Sequence, residues 1–466
     1  MKINAILNSD SYKMGHWQQY PEGTTHVYSY MESRGGEYER TLFFGLQGLI
    51  KEYLLTPIIY DDILEAEAFA KVHGVPFNKA GWMHILTKHK GYFPVEIKAV
   101  PEGTVVNAKN VLMTVRNTDP AVPFITSYIE TMALRLWYPI TVASRTFYMK
   151  KRIQPYFEMT SESEFMDFAV LDFSARGCTS YEANMIGGAA YLINFAGSDS
   201  MSAVRYIQYL YGGSILGYSV SATEHSIMCS YGKENELASF ERLIDVAPEG
   251  SILSVVSDTW NIFYACHKWC KLADKVKAKN ITLVVRPDSG EIDEVMPEVL
   301  RILREGFGAT VNKKGFWVLN NVKVLWGDGI NEHTVARPFA IAHAMGISAD
   351  SIITGSGGGL MQVDINRDTN KFAFKASCIT VDGEDRAIAK DPITDPGKMS
   401  KKGFLSLHYA EYSTTDFITT QYRGRGAVEG GISGDVLRTV YLNGKLIVDE
   451  PMETVRERAN YWAKVL

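Results

Sequence analysis

Residues 251–290 read SILSVVSDTWNIFYACHKWCKLADKVKAKNITLVVRPDSG, and this stretch contains the unit from which the fold is predicted. Two short apolar runs rich in β-branched residues, 251–257 and 281–286, flank a longer segment with helical spacing. Each run ends in a polar turn that carries an aspartate, Asp258 or Asp288. A strand, a helix and a second strand in this order predict that the two strands pair in parallel.

The same alternation recurs on both sides of this unit. Between residues 165 and 359, apolar runs followed by polar or glycine-containing turns lie at 165–173, 189–195, 214–220, 251–257, 281–286, 322–326 and 351–354. Helices that alternate with parallel strands cover both faces of an open sheet or surround a barrel. We predict an α/β fold with an irregular (β/α) barrel of parallel strands, because no glycine-rich dinucleotide turn opens the series as in a doubly wound sheet.

The segments outside this pattern are rich in short strands. Strands are predicted at 25–32, at 96–115 as a pair joined by a turn at 101–103, and after residue 370, where an Asn443-Gly444 hairpin follows; residues 121–160 have a helical pattern. We therefore predict that residues 1–160 and 370–466 form one discontinuous β-rich domain with helices, and that residues 161–369 form the barrel-like domain.

Composition excludes several classes of protein. The chain has 466 residues with 48 Lys and Arg against 53 Asp and Glu, a net charge of −5, which argues against nucleic acid or an anionic membrane as a partner. Five scattered cysteines are typical of reduced thiols, so we expect a cytoplasmic protein. The most apolar long window, 124–143, contains Glu130 and Arg135 and is not expected to span a membrane.

The turns after the seven runs are predicted to meet at one edge of the barrel and to form a ligand site there. In the turn Gly355-Ser356-Gly357-Gly358-Gly359, glycines would let backbone N–H groups approach a phosphate, although a flexible loop is an alternative. The turn is neither a Walker A loop nor a dinucleotide fingerprint, which disfavours kinase-type ATPases and Rossmann dehydrogenases.

Charged residues in the other turns suit a sugar phosphate. Arg286 suits a phosphate or an amide oxygen, and Asp288 suits ribose hydroxyls or hydrated Mg²⁺; the alternative is an ion pair between the two that stabilises the turn. Asp328, between two glycines, can point at sugar hydroxyls. Asp258 and Asp199 can accept hydrogen bonds from a ligand or cap helices.

Two further residues have a functional and a structural interpretation. Phe173 presents an aromatic face to the rim or packs in the core. His225 lies where the first turn of a helix is predicted, with Glu224 beside it. It is a structural histidine or a nucleophile that accepts a phosphoryl group. The residues alone thus predict an α/β enzyme with a phosphate- and sugar-binding rim, assisted by Mg²⁺.

The motifs DSYKMGHWQQYP, DFSARG, NFAGSD, SVSATEHS, RPDSG and GSGGGLMQ also carry a specific resemblance. In combination the chain resembles the nicotinate/nicotinamide phosphoribosyltransferase family of type II phosphoribosyltransferases. The resemblance implies transfer of 5-phosphoribosyl from phosphoribosyl pyrophosphate to nicotinamide, giving nicotinamide mononucleotide and pyrophosphate in NAD biosynthesis. It also implies Mg²⁺, ATP hydrolysis coupled through a phosphohistidine, and a homodimer with shared active sites. Alternatives are a nicotinate phosphoribosyltransferase and a non-catalytic sugar-phosphate-binding protein.

The resemblance assigns roles to individual residues. Nicotinamide would be bound by Phe173, Tyr12 from a second subunit, Asp199, Arg286, Ser254 and Arg176. Ribose, phosphate and pyrophosphate would be bound by Asp328, Gly327, Gly357, Gly358, Arg34, Arg367, Lys375, Lys390 and Lys398. Catalytic roles fall to His225, Asp288, Arg286, Glu224 and Asp258. Asp288 (through water) and Asp258 would hold Mg²⁺. The Asp199 carboxylate would accept a hydrogen bond from the carboxamide and repel nicotinate.

Overall fold

The structure, a computed structural model, describes residues 3–394, 399–428 and 431–466. The chain packs as two compact units. The strand-rich unit comprises residues 1–144, 207–213 and 364–466, and the barrel unit comprises residues 145–206 and 214–363. The domains predicted from the sequence, residues 1–160 with 370–466 and residues 161–369, stay a prediction.

Strands and helices are numbered along the chain. The strands are β1 (Thr24–Ser33), β2 (Arg40–Leu42), β3 (Val95–Ala99), β4 (Val105–Asn107), β5 (Val111–Asn117), β6 (Val170–Asp172), β7 (Gly197–Ser198), β8 (Ser221–Ala222), β9 (Ile252–Val256), β10 (Thr282–Arg286), β11 (Ala309–Val311), β12 (Trp317–Leu319), β13 (Val322–Trp326), β14 (Ile352–Ser356), β15 (Phe372–Val381), β16 (Glu384–Ala387), β17 (Phe404–Tyr409), β18 (Phe417–Tyr422), β19 (Arg438–Leu442) and β20 (Lys445–Leu446). The α-helices are α1 (Leu46–Leu49), α2 (Tyr60–His73), α3 (Lys79–Lys88), α4 (Phe124–Tyr128), α5 (Glu130–Leu134), α6 (Trp137–Thr160), α7 (Tyr181–Tyr191), α8 (Met201–Leu210), α9 (His225–Ser230), α10 (Glu236–Val246), α11 (Ile262–Lys271), α12 (Ala273–Ala278), α13 (Ile292–Phe307), α14 (Arg337–Ala344), α15 (Gly359–Gln362) and α16 (Met452–Val465).

The strand-rich unit is built on an antiparallel sheet of seven strands in the order β16-β15-β1-β5-β3-β19-β20. Strand β1 lies between β15 and β5, and its side chains from Val27 onward are buried, so it is a central strand of the unit. The register pairs Tyr30 of β1 with Lys375 of β15. Two further antiparallel pairs, β2 with β4 and β17 with β18, complete the strands of this unit.

The predicted strand at 25–32 and the Asn443-Gly444 hairpin are confirmed. Asn443 and Gly444 both have positive φ angles, 50° and 85°, as a two-residue hairpin between β19 and β20 requires. The two strands predicted within 96–115 are present as β3 and β5, which pair with each other. The turn at 101–103 does not join them directly, because it leads into β4, which pairs with β2.

The barrel unit contains seven parallel strands in the order β7-β6-β14-β13-β10-β9-β8. The two edges of this sheet are linked by a parallel bridge between Gly197 of β7 and Tyr218, just before β8. Inside, the buried side chains of Val284, Leu325 and Ile353 pack together with surrounding aromatic residues. The predicted α/β class, with an irregular barrel and a second β-rich part, is therefore confirmed.

Two predicted barrel strands were wrong. Residues 189–195 are the end of helix α7 and the turn after it, and the strand begins only at Gly197. This run is apolar because its side chains are buried in the unit, and periodicity does not distinguish a short buried helix segment from a strand. Residues 214–220 contribute only the bridge at Tyr218, and β8 follows at Ser221–Ala222.

Within the described ranges, no helix is both long enough and apolar enough to cross a membrane. All five cysteines are free thiols.

Candidate active site

A cavity of about 460 Å³ lies in the barrel unit. Four of the predicted ring-binding residues line it: Phe173, Asp199, Ser254 and Arg286. Each comes from a strand of the parallel sheet or from the residue after one, as expected for a site at the carboxyl ends of the strands. Its remaining lining is largely apolar and includes Phe165, Phe168, Leu171, Tyr218, Val220, Val284, Leu325 and Ile353. An apolar hollow with a few convergent polar groups suits a flat heterocycle.

Phe173 is held at the cavity by the strand beside it. Its backbone N–H donates to the Ser356 carbonyl at 2.9 Å. At Gly355 of β14, an added Cβ would lie 2.3 Å from Cε2 of the Phe173 ring. The ring therefore occupies the space that a side chain at position 355 would need.

Asp199 is supported by residues that the sequence did not single out. Its Oδ1 accepts a hydrogen bond from Oγ of Ser219 at 2.5 Å, and its backbone N–H donates to the Asp172 carbonyl at 3.0 Å. The buried Asp172 carboxylate in turn accepts from the Ser174 N–H at 2.8 Å and from Ser198 Oγ at 2.9 Å. Asp172 could have been found as a charged residue that closes an apolar run; Ser219 gives no such signal.

Arg286 is available to a ligand. Its Nη2 lies 3.8 Å from Oδ2 of Asp288, which is too long for a hydrogen bond. Its Nε is buried and has no hydrogen-bond partner among the described residues. The alternative of an ion pair between Arg286 and Asp288 is therefore present in the structure, but as a contact without a hydrogen bond.

His225 and Asp258 are in direct contact. His225 Nε2 lies 3.0 Å from Asp258 Oδ1, and Ser289 Oγ donates to Asp258 Oδ2 at 2.6 Å. The Asp258 side chain is only 6% exposed, whereas that of His225 is 46% exposed. The capping alternative for Asp258 was wrong, because α11 begins later and the Asn261 side chain caps it by accepting from the Tyr264 N–H.

Helix α9 begins at His225, as predicted, and Glu224 occupies its N-cap position. The Glu224 side chain makes no capping hydrogen bond; it accepts instead from Oγ of Ser226. Glu224 is therefore adjacent to His225 in an exposed turn.

Three carboxylates act on one another at this rim. Burial raises the pKa of Asp288 above its ordinary value; Arg286 offsets part of this, and the negative charges of Asp258 and Asp328 raise it further. Gly327 lies close to Asp288, because a Cβ on Gly327 would lie 3.1 Å from Asp288 Oδ1. Hard carboxylate oxygens that repel one another are a donor set that fits Mg²⁺ bound through water.

The glycines after β14 differ in what surrounds them. A Cβ on Gly177 would lie 2.7 Å from the Gly358 Cα, so the turns after β6 and β14 pack backbone against backbone. A Cβ on Gly357 would meet nothing within 4 Å, so packing does not require glycine there. Arg176, in the turn that ends at Gly177, is exposed and is not among the cavity-lining residues of the described chain.

The strand-rich unit gathers the predicted phosphate-binding cations. Burial lowers the pKa of Lys375, Glu130 opposes this, and the positive charges of Arg34, Lys390 and Arg367 lower it further. Arg34, Lys390 and Arg367 therefore each lie within electrostatic range of Lys375, as expected for a group of cations that binds a polyanion. We call Arg34, Lys375, Lys390 and Arg367 the cation cluster.

The remaining predicted residues are Tyr12 and Lys398. Tyr12 lies in a 3-10 helix, Ser11–Gln18, and its side chain is 62% exposed, so the ring is accessible to another molecule. Lys398 falls outside the described residues.

Among the described residues, one group of His, Cys, Asp and Glu side chains brings its ligand atoms within metal-binding range, and the sequence did not predict it. In the strand-rich unit, His84 Nε2 and His89 Nε2 lie 2.9 and 2.6 Å from Asp119 Oδ2. Lys88 Nζ lies 2.9 Å from the same oxygen. The lysine ammonium stands where a metal would bind, so the group is an ion-pair cluster.

Comparisons with known proteins show the family of the chain. Residues 168–445 match the nicotinate phosphoribosyltransferase (NAPRTase) family, and residues 4–97 match the nicotinamide phosphoribosyltransferase N-terminal domain. The chain is 42% identical over 466 residues to a nicotinamide phosphoribosyltransferase from Xanthomonas campestris, with 98% of both chains covered. It is 32% identical to one from Acinetobacter baylyi, with 98% of this chain and 97% of the relative covered.

Solved structures show the same fold at low sequence identity. Nicotinate-nucleotide pyrophosphorylase from Pyrococcus furiosus has a TM-score of 0.62 at 14% identity, covering 99% of this chain and 95% of that one. Human nicotinic acid phosphoribosyltransferase has a TM-score of 0.58 at 15% identity, covering 97% and 93%. The fold and the sequence matches define a phosphoribosyltransferase enzyme. The chain belongs to the nicotinate phosphoribosyltransferase (NAPRTase) family, and the predicted resemblance is confirmed.

Proposed function

We propose that this enzyme transfers 5-phosphoribosyl from phosphoribosyl pyrophosphate to the ring nitrogen of nicotinamide. The products are nicotinamide mononucleotide and pyrophosphate, and the reaction serves NAD biosynthesis. The observation that carries the proposal is the Asp199 carboxylate in the same cavity as Phe173 and Arg286. The names of the two relatives at 42% and 32% identity support the same substrate.

The cavity residues suit each part of the nicotinamide molecule. Phe173 offers an aromatic face for stacking against the pyridine ring. Asp199 Oδ2 has no donor among the described residues, so it can accept a hydrogen bond from the carboxamide NH₂. Arg286 can donate to the carboxamide oxygen, and Ser254 lines the same wall. Nicotinate would place a second carboxylate against Asp199, which costs several kcal/mol, roughly, in a desolvated site.

The reaction needs positioning more than proton transfer. The pyridine nitrogen already carries a lone pair, so no general base is required. Asp288 and Asp328 would hold the ribose hydroxyls, and the turn at Gly357 and Gly358 would hold the 5′-phosphate. Mg²⁺, when bound through water to Asp288 and Asp258, would neutralise charge on the pyrophosphate. The barrier falls because the two reactants are held in line and the developing charges meet fixed partners.

We further propose that ATP hydrolysis is coupled to transfer through His225. A carboxylate can only accept, so the contact with Asp258 requires that Nε2 carry the proton and leaves the lone pair on Nδ1. Nδ1 would attack the terminal phosphorus of ATP, forming an N–P bond as the bridging P–O bond breaks and ADP leaves. Water would then hydrolyse the phosphohistidine. Glu224, next in sequence, lies in the same exposed turn.

We propose a homodimer in which each subunit completes its partner's site. The exposed Tyr12 ring would cover the second face of the nicotinamide, and the cation cluster would receive the pyrophosphate. The accessible ring of Tyr12 and the concentration of positive charge around Lys375 support this arrangement. Five free thiols support a location in the cytoplasm.

The proposal is tested by product formation with nicotinamide or nicotinate, phosphoribosyl pyrophosphate and Mg²⁺. We expect kcat/KM to favour nicotinamide by about 100-fold or more, because the Asp199 carboxylate accepts a hydrogen bond from the amide and repels the carboxylate of nicotinate. Asp199→Asn should narrow this preference by at least about tenfold, whereas Asp274→Asn, at an exposed position on α12, should not change it. Equal rates with both acceptors would favour the nicotinate alternative on the same scaffold.

A further inference from the structure

A buried carboxylate in the strand-rich unit contacts two cations at once. Glu32 of β1 is 3% exposed. Its Oε1 accepts a hydrogen bond from Nε of Arg34 at 3.0 Å, and its Oε2 accepts one from Nζ of Lys401. The Arg34 and Lys401 side chains are each 16% exposed. One negative charge between two positive charges leaves this group with a net positive charge.

Arg34 has a donor that the protein does not satisfy. Its Nη2 is buried and has no hydrogen-bond partner among the described residues. Because Glu32 takes the Nε–H, the orientation of the guanidinium is fixed while Nη2 remains for another acceptor. A buried and unpaired guanidinium N–H is a costly feature unless a ligand provides an acceptor.

Lys401 is held beside the cation cluster by its backbone. Its N–H donates to the hydroxyl of Tyr30 at 2.8 Å, and Tyr30 pairs in register with Lys375. The preceding residue, Ser400, donates its N–H to the Lys390 carbonyl at 2.9 Å and accepts from the Lys390 N–H at 2.8 Å. Lys401 therefore adjoins two members of the cation cluster, although it was not among the predicted site residues.

We propose that Lys401 is a further cation for the pyrophosphate group of the substrate, and that Glu32 is the positioning residue that orients Lys401 and Arg34 toward it. The inference rests on the proposed function for the identity of the anion. A carboxylate among phosphate-binding cations reduces their mutual repulsion and fixes the direction of their N–H groups. The ligand class is a diphosphate, either free or attached to a pentose.

The test measures binding of inorganic pyrophosphate to the purified full-length chain by titration calorimetry, and KM for both substrates. Lys401→Ala should weaken pyrophosphate binding by about tenfold or more, as expected for loss of a charge-assisted hydrogen bond. Lys402→Ala, the adjacent exposed lysine, is the matched control and should bind as the wild type does.

Glu32→Gln distinguishes positioning from simple charge. Removal of a negative charge from an anion site should tighten binding if Glu32 acts only through its charge. If Glu32 positions Arg34 and Lys401, Glu32→Gln should instead raise KM for phosphoribosyl pyrophosphate about tenfold while KM for nicotinamide stays within about twofold. Tighter or unchanged binding in this variant would overturn the positioning role.

Two further results separate this inference from its alternatives. If Glu32→Gln does not fold, Lys401→Arg, which keeps the charge, should restore most of the binding that Lys401→Ala loses. If the wild type binds pyrophosphate and Lys401→Ala does not, the proposed pyrophosphate site is supported even when no mononucleotide is formed. Absence of mononucleotide would then contradict the proposed reaction but not the role of Lys401. Equal pyrophosphate binding by the wild type and Lys401→Ala would overturn the inference.

Discussion

The barrel unit and the strand-rich unit carry opposite charges at their predicted substrate-binding residues. The barrel rim has the carboxylates Asp199, Asp258, Asp288 and Asp328 around Arg286. The strand-rich unit has the cation cluster, and Glu32 accepts hydrogen bonds from its member Arg34 and from Lys401. Carboxylates suit hydroxyl groups, an amide and a hydrated metal, whereas clustered cations suit phosphate. Under the proposed function, the carboxylates would serve the ring and the ribose, and the cations would serve the pyrophosphate.

The largest expected effect comes from removing a carboxylate of the barrel rim. Asp288→Asn removes the carboxylate at the centre of the rim, and kcat/KM should fall by about 10²–10³-fold, as for loss of one strong transition-state contact. Steady-state rates of mononucleotide formation measure this, with Asp274→Asn as the control. Activity close to that of the wild type would show that the rim carboxylates are not required.

The second prediction concerns the strand-rich unit, and the quantity expected to change is the free energy of unfolding. Burial alone would raise the pKa of Asp119, but hydrogen bonds from the Ala121 N–H, His84, His89 and Lys88 hold it well below its ordinary range. Asp119→Asn should lower the free energy of unfolding by about 2–4 kcal/mol, because a buried carboxylate and its charge-assisted hydrogen bonds to three side chains are lost. Denaturant unfolding followed by circular dichroism measures the change.

The difference in stability between the wild type and Asp119→Asn should decrease as pH falls. A carboxyl group with a lowered pKa in the folded state stabilises above its unfolded pKa, about 4, and this contribution disappears as pH falls further. Wild type and Asp119→Asn should therefore converge in stability at acid pH. A constant difference at all pH values would mean that Asp119 acts through packing.

A smaller effect should separate ATP coupling from phosphoribosyl transfer. His225→Ala removes the group proposed to accept the phosphoryl group, so ATP should raise the rate by less than about twofold while slow transfer persists. Rates with and without ATP measure this, and His267→Ala, an exposed histidine on α11, is the control. ATP stimulation that survives in His225→Ala would exclude the phosphohistidine.

The smallest expected effect is a shift in pH dependence. Burial, together with the charges of Asp258 and Asp328, raises the pKa of Asp288, so activity should fall on the acid side as Asp288 becomes protonated. Asp328→Asn removes one of these negative charges, and the acid limb of kcat/KM should move to lower pH. A shift to higher pH would contradict the electrostatic coupling of the two carboxylates.

The parts of the fold that could be predicted have a local signal. Strands β9, β10, β13 and β14 lie in largely apolar runs that are followed by polar turns, and all four were predicted. The helix end at 189–195 was misassigned because its burial imitates a strand. For the site, Phe173, Asp199 and Arg286 line one hollow as expected from the convergence of parallel strands, whereas Asp328, expected with them, is not among its lining residues.

What escaped prediction depends on contacts between distant segments. Glu32 and Lys401 are 369 residues apart, and Asp119 is 35 residues from His84 and 30 from His89. The periodicity of a sequence gives no information about contacts between residues so far apart in the chain. Asp172 accepts from the Asp199 N–H because β6 and β7 lie side by side, and Ser219 reaches Asp199 because Tyr218 is bridged to Gly197.

The absence of a side chain at Gly355 has a consequence for changing the acceptor that the enzyme uses. Even one methyl group there would displace the Phe173 ring, so this position cannot be altered to reshape the pocket without moving the stacking surface itself. Variant libraries aimed at larger heterocycles should keep Gly355 fixed and vary Leu171, Leu325 and Ile353, whose side chains line the hollow. The Phe173 ring and strand β14 must therefore be kept together when the pocket is redesigned.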